Sequence, residues 1–231
     1  MRCSTLMRTG LAVGMLSSHT FAQHHPYDEW QEGYTAQALL GAVRFENLKI
    51  TDDSGLGDPK EIDLSTLPQL GGAWSTLSIG TRFQYGLEAT FLLGFRVDKI
   101  NYISAGGGGL EVSISTLFWM FDLAGGPYIN LFLDPQRRVR MYGGAGPLMI
   151  YADYRSEREE SGAGGDTTFD QNESAFGMGV YARAGLEYRI HERGMLGLGM
   201  RGQWAHLDFA GVGGQTKVIG MAAFATYTAG F

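Results

Sequence analysis

The sequence predicts an all-β fold: an eight-stranded antiparallel up-and-down β-barrel that crosses a membrane. Three observations predict it. Long segments alternate between apolar residues and small or charged ones, short turns alternate along the chain with long polar loops, and a leader of secretory type precedes them all.

The leader comes first. Arg2 and Arg8 are its basic region, residues 11–16 are a short apolar run containing Gly14, and Thr20-Phe21-Ala22 is a small-x-small cleavage site. Residues 1–22 are therefore expected to be a cleaved signal peptide, 23–36 an N-terminal periplasmic tail, and 37–231 the barrel. Cleavage removes Cys3, the single cysteine of the chain, so no disulfide is expected. Cys3 precedes the apolar run, which argues against a lipoprotein anchor. Loss of Arg2 and Arg8 leaves 16 basic residues (18 − 2) against 24 acidic ones. A balance that acidic excludes a nucleic-acid binder.

No stretch reaches the ~18 consecutive apolar residues of a spanning helix, yet only 18% of residues are charged, few for a soluble domain. A barrel reconciles the two, because its strands alternate between lipid and lumen and average out in hydropathy. From 119 to 133, the odd positions run Trp119, Phe121, Leu123, Gly125, Pro127, Ile129, Leu131, Leu133, while the even ones include Asp122, Ala124, Gly126 and Asn130. From 176 to 190, Phe176, Met178, Val180, Leu186, Tyr188 and Ile190 share one face, and Tyr181, Arg183, Glu187 and Arg189 the other. From 87 to 97, Leu87, Ala89, Phe91, Leu93, Phe95 and Val97 oppose Glu88, Thr90 and Arg96. A period of two marks strands, and their length suits a tilted crossing of a bilayer.

Punctuation completes the topology. Short turns are expected at 84–86, 134–138 and 191–194, and long polar or glycine-rich loops at 51–72, 104–109, 155–173 and 210–215. The strands then fall at 37–50, 74–83, 87–101, 110–133, 139–154, 175–190, 195–209 and 216–231. Glycines and Pro147 blur the alternation of the fifth. Eight is an even number and leaves no open edge.

A soluble barrel such as a lipocalin also alternates, but with an aliphatic interior and a Lys/Glu-rich exterior. Here the polar face joins charge to glycine and alanine, which suits a narrow lumen. The apolar face carries Trp119, Tyr151, Tyr188 and Trp204 near strand ends, as an interfacial girdle would. Tyr227, Ala229 and Phe231 share one face of the last strand, and Tyr227 and Phe231 form an assembly signal of the kind that the barrel-assembly machinery reads.

The segment Met141-Tyr142-Gly143-Gly144-Ala145-Gly146-Pro147, the segment Ala184-Gly185-Leu186-Glu187-Tyr188-Arg189 and the final strand resemble the small outer-membrane β-barrel superfamily around OmpA, OmpX and OmpW. The resemblance covers nearly the whole mature chain. It implies residence in the outer membrane of a Gram-negative bacterium, with lipid and lipopolysaccharide around the barrel. Closure satisfies the backbone of a barrel this size, so a monomer is expected. No peptidoglycan-binding domain follows the last strand, so tethering to the cell wall is not expected.

Alternation assigns Arg44, Glu46, Arg82, Glu88, Arg96, Asp98, Asp122, Arg183, Glu187 and Arg201 to the lumen. Charges of both signs in a narrow barrel must pair, which predicts an ion-pair network that plugs the interior; a transient gate for small solutes is the alternative. No catalytic residue, metal site or cofactor is expected. His206 with Asp208 two residues on lacks a local serine and reads as a rim histidine rather than a base acting on outer-leaflet lipid. Gln23-His24-His25 could present Cu(II) or Ni(II) with a nitrogen-rich square plane, but reads as tail. Gly106 to Gly109 is followed by no helix and makes no phosphate cradle, and Asp52, Asp53 and Asp58 are spaced too irregularly for a calcium loop. The expected role is non-enzymatic, structural or in surface interaction through the loops with an extracellular ligand. A small-solute or hydrophobic-compound channel is the alternative, and a lipid-modifying enzyme the third reading.

Overall fold

The computed structural model describes residues 34–46, 49–52, 60–63, 65–76, 79, 82–104, 110–162, 165–207 and 217–230. Ten strands follow in order: β1 (Thr35–Glu46), β2 (Lys49–Asp52), β3 (Lys60–Asp63), β4 (Thr66–Ser75), β5 (Phe83–Ser104), β6 (Leu110–Phe132), β7 (Val139–Gly162), β8 (Gly165–His191), β9 (Gly194–Leu207) and β10 (Lys217–Gly230). Eight close into an antiparallel barrel in the order β1-β10-β9-β8-β7-β6-β5-β4, with β1 pairing β4; β2 and β3 form a separate hairpin. Closure satisfies the backbone groups of every strand within the barrel wall, as a bilayer requires.

Followed once around the wall, the register slips ten residues, from Arg44 to the level of Tyr34 (44 − 34). Such a stagger tilts the strands by roughly 35–45° and leaves an eight-stranded interior only wide enough for side chains.

Side chains are inverted relative to a soluble protein. Leu198 is 71% exposed and Leu40 67%, whereas Asp122 is 0% and Arg201 2%. The outer surface is therefore solvated by hydrocarbon, and the barrel crosses a membrane; no helix among the described residues could do so. Aromatic residues mark two levels on the outside. Tyr34, Trp74, Tyr85, Tyr188 and Tyr227 ring the end at which β1 begins, β10 ends and the short turns lie. Phe95, Tyr151, Phe176 and Trp204 ring the other, where the indole of Trp119 lies 5.2 Å from the ring of Tyr151. From Phe176 to Tyr188 the rise along β8 is about 40 Å, or about 30 Å along the barrel axis at that tilt, close to the height of an apolar band.

Above the upper belt the exterior turns polar: Arg155, Glu157 and Glu159 on β7 and Asp170, Asn172 and Ser174 on β8 all face outward. Strands β5 to β8 are 22 to 27 residues long, against 10 to 14 for β1, β4, β9 and β10. One side of the wall thus stands well clear of the bilayer. The segment 155–173, expected to be a loop, is a paired hairpin from Arg155↔Asn172 to Gly162↔Gly165. Its cross-strand hydrogen bonds outweigh a composition that reads as loop.

The first two barrel strands are displaced from their expected places. β1 ends at Glu46 instead of 50, and residues 49–52 join β3. The second barrel strand is Thr66–Ser75, not 74–83, and 84–86 lies inside β5 instead of forming a turn. Pro68, Gly71 and Gly72 disguised it, since proline and glycine read as punctuation. Pro68 is tolerated because it pairs with Ala42 of β1 above the point, Gln69↔Gly94, at which β5 pairing starts. The turn 134–138 is as expected: Asp134 Oδ1 accepts the N–H groups of Arg138 (2.7 Å) and Val139 (2.8 Å), and Arg137 takes φ 54°.

Candidate functional site

The lumen collects the inward positions of the strands in two storeys. The lower one, toward the short turns, is polar. β8 supplies Tyr181, Arg183 and Glu187 at alternate positions, β7 Arg140 and Tyr142, β5 Glu88, β9 Arg201, β6 Asp122, β1 Gln37, and β10 Thr226 and Thr228.

Glu187 lies at its base. Its carboxylate accepts from Arg140 (Nε at 3.0 Å, and Nη2), from Gln37 Nε2 at 2.7 Å, and from the hydroxyls of Thr226 (2.9 Å) and Thr228 (2.7 Å). Gln37 faces both ways, because its Oε1 accepts from Arg183 Nη1 at 2.6 Å. Arg183 grips Glu88 with two donors, Nε at 2.9 Å and Nη2 at 2.5 Å, and Tyr181 donates to the same carboxylate at 3.0 Å. Higher still, Arg201 Nη1 donates to Asp122 Oδ1 at 3.0 Å. The ring of Tyr142 lies between the guanidinium groups of Arg183 (5.1 Å) and Arg140 (5.8 Å), and the ring of Tyr181 beneath that of Arg201 (5.0 Å).

Three arginines thus meet three carboxylates, a neutral set. Arg183 and Arg201 are direct cross-strand partners, an unfavourable pairing of like charges. Each is compensated by a carboxylate from across the lumen, which couples β8 and β9 to β5 and β6. Gly144 makes room for this: a Cβ there would lie 2.8 Å from Glu88 Cδ.

The upper storey is mainly apolar, with the amides of Gln69 (1% exposed) and Gln203 (4%) buried within it. Val43, Phe45, Leu67, Leu92, Phe118, Leu148, Ile150 and Leu207 are each at most 1% exposed and pack across the lumen. The sequence reading, which expected a polar interior throughout, missed this half. Among the described residues, two internal voids of about 10 Å³ each lie between side chains, one beside Glu88, Arg140 and Arg183 and another beside Thr90 and Arg201. Each holds at most one water.

Of the ten expected lumen residues, Glu88, Asp122, Arg183, Glu187 and Arg201 meet in this network. Arg96 and Asp98 also point inward, near the upper end of the barrel, and pair with each other at 2.6 Å while half-exposed. Three do not belong. Arg44 and Glu46 face outward, because β1 puts Val43 and Phe45 inside and adjacent residues point to opposite faces. Arg82 precedes β5 at the short-turn rim, exposed, with Nε on the carbonyl of Phe132 at 3.2 Å. Sequence reasoning missed Arg140 and the neutral partners Gln37, Thr226 and Thr228. The alternation Arg140, Tyr142, Gly144 against an outward Met141 was a signal for the first, obscured by the glycines that follow.

Tyr227 lies on the outer face at the lower rim, its hydroxyl 2.9 Å from His191 Nε2. Phe231, Asp208, residues 106–109 and the Gln23-His24-His25 segment lie outside the described residues. His206 faces outward and has no hydrogen-bond partner among the described residues, so nothing there orients it as a base. Among the described residues no cluster of three metal-ligating side chains occurs.

No protein-family model matches the chain, and no characterised protein matches it by sequence. Solved structures do match. The attachment invasion locus protein Ail of Yersinia pestis is 14% identical over 85% of this chain and 99% of its own, with a TM-score of 0.41. The outer membrane protein OprG from Pseudomonas aeruginosa is 9% identical over 88% and 98%, with a TM-score of 0.43. Neisserial surface protein A is 14% identical over 86% and 97%, with a TM-score of 0.33. The chain's own strand pairing establishes its fold, a closed eight-stranded antiparallel barrel.

Proposed function

We propose that the protein is a non-enzymatic integral outer-membrane barrel of a Gram-negative bacterium, exported with residues 1–22 removed and seated as a monomer by the barrel-assembly machinery. Its lumen is closed, and it serves envelope integrity or surface interaction through the raised β5–β8 hairpins. The observation that supports this reading is the packed lumen: an ion-pair storey under a mainly apolar one, with internal voids among the described residues that hold at most one water each. An ion entering the upper storey would exchange its hydration for packed side chains that are mostly apolar, a costly step. The raised wall, with charged outward faces on β7 and β8, offers the surface a ligand outside the cell would meet first.

Planar-bilayer recording of the purified barrel tests the reading. Absence of unitary conductance across a range of voltages is expected. Reproducible openings would overturn it in favour of a gated small-solute channel, in which the Glu88–Arg183 and Asp122–Arg201 pairs part.

A further inference from the structure

The lipid-facing wall is not uniformly bulky. Where β8, β9, β10 and β1 adjoin, outward positions are taken by Ala182, Gly202, Ala223 and Ala225, and the wall is indented there into an apolar groove of about 930 Å³ flanked by Leu40 and Leu186. That is within the range of small-molecule sites, roughly 300–1,000 Å³. Gly202 shows how open it is, since a Cβ added there would meet no atom within 4 Å.

The upper end of the same four strands carries positive charge. Arg44 lies two residues above Ala42, itself paired with Ala223. Lys217 and His206 are direct cross-strand partners at the tops of β10 and β9. All three are exposed on the outer face, and none has a hydrogen-bond or ion-pair partner among the described residues. Among the described residues Glu46 shares this rim, and Arg44 and Lys217 together leave it one positive charge in excess. Trp204, one outward position below His206, places the group at headgroup level, where outward cations are tolerated as they are not at the bilayer midplane.

We propose that this face docks an anionic, phosphate-bearing lipid of the leaflet on the long-hairpin side. One acyl chain lies in the groove, and the phosphate sits among Arg44, Lys217 and His206. A second copy of the chain fits less well: two-fold contacts set like against like, and groove against groove would leave a void. The inference rests on the membrane placement proposed above.

The test uses the barrel reconstituted in phosphatidylcholine bilayers with traces of phosphatidylglycerol or phosphatidylcholine spin-labelled on the same acyl position. Electron paramagnetic resonance then reads the motionally restricted fraction of each. Phosphatidylglycerol is expected to associate about fivefold or more over phosphatidylcholine, the contribution of at least one basic side chain at an interface. Arg44→Gln with Lys217→Gln brings the ratio near one, and Gly202→Phe, which fills the groove, lowers the restricted fraction of both lipids. Equal association of the two lipids with a folded wild-type barrel overturns the proposal, as does indifference to these variants. Cross-linked wild-type dimers abolished by Gly202→Phe would assign the groove to a second copy and overturn it too. Unheated and boiled protein are run on a gel in parallel. If they migrate alike, the membrane-barrel reading itself fails and the docking site with it.

Discussion

Replacing Glu187 by glutamine keeps the shape of the side chain and removes its charge. In the wild type the carboxylate is 0% exposed and its partner Arg140 5%. Three neutral donors join that arginine around it: Gln37, Thr226 and Thr228. The threonine hydroxyls can rotate to serve an amide, but Arg140 has only donors and would be left a buried cation with neutral acceptors in place of its counter-charge, the new amide oxygen and Thr228 Oγ1 at 3.0 Å. Breaking a buried pair from one side costs about 3–5 kcal/mol, which at ~1.4 kcal/mol per decade is roughly a hundred- to several-thousand-fold in the unfolding equilibrium. Removing both charges, as Arg140→Met with Glu187→Leu, should recover most of that loss, since two apolar groups of similar volume need no counter-charge. Equilibrium urea unfolding from lipid vesicles, followed by tryptophan fluorescence and by the mobility of unheated protein on gels, measures both variants. If Glu187→Gln lies within about 1 kcal/mol of the wild type, the lower storey is hydrated and its charges are screened by water; the sealed-lumen argument then fails.

Other consequences are open to the same methods. Gly144→Ala should push the Glu88 carboxylate off Arg183 and destabilise by about 1–3 kcal/mol; no loss of stability would mean that Glu88 has room elsewhere. Phe118→Ala should cost about 3–5 kcal/mol without producing conductance, because the Asp122–Arg201 pair closes the lumen below it; bilayer recording checks the second half. Asp134→Ala removes the acceptor of two backbone N–H groups at the β6–β7 turn and should cost about 1–2 kcal/mol in urea unfolding. Single-tryptophan variants retaining Trp74 or Trp204 should be quenched best by lipids brominated near the headgroup; strongest quenching from the chain ends would misplace the belts.

Much of this was legible in the sequence because a barrel strand couples each side chain to one of two solvents. The period of two survives in β5, β6 and β8, where large apolar residues alternate with charge, so the faces around Phe91, Leu123 and Val180 read correctly. The same rule gave five members of the lumen network. It failed in β1, where Arg44 and Glu46 attracted the reading inward although Val43 and Phe45 are the residues buried. Charge was taken as the mark of the lumen, yet an upper rim at headgroup level accepts outward charge as readily. It failed in β4 because Pro68 and two glycines look like a loop until β1 is seen to pair with them.

The sequence by itself determined the fold class, the number of barrel strands and the inside-out polarity, since these follow from local alternation and from what lipid demands of a backbone. Only the tertiary structure decided which charges meet. Glu88 finds Arg183, and Asp122 finds Arg201, across a lumen whose ten-residue stagger no single strand records. That stagger also sets the polar storey below the apolar one, and it gathers Ala182, Gly202 and Ala223 from three strands into one groove.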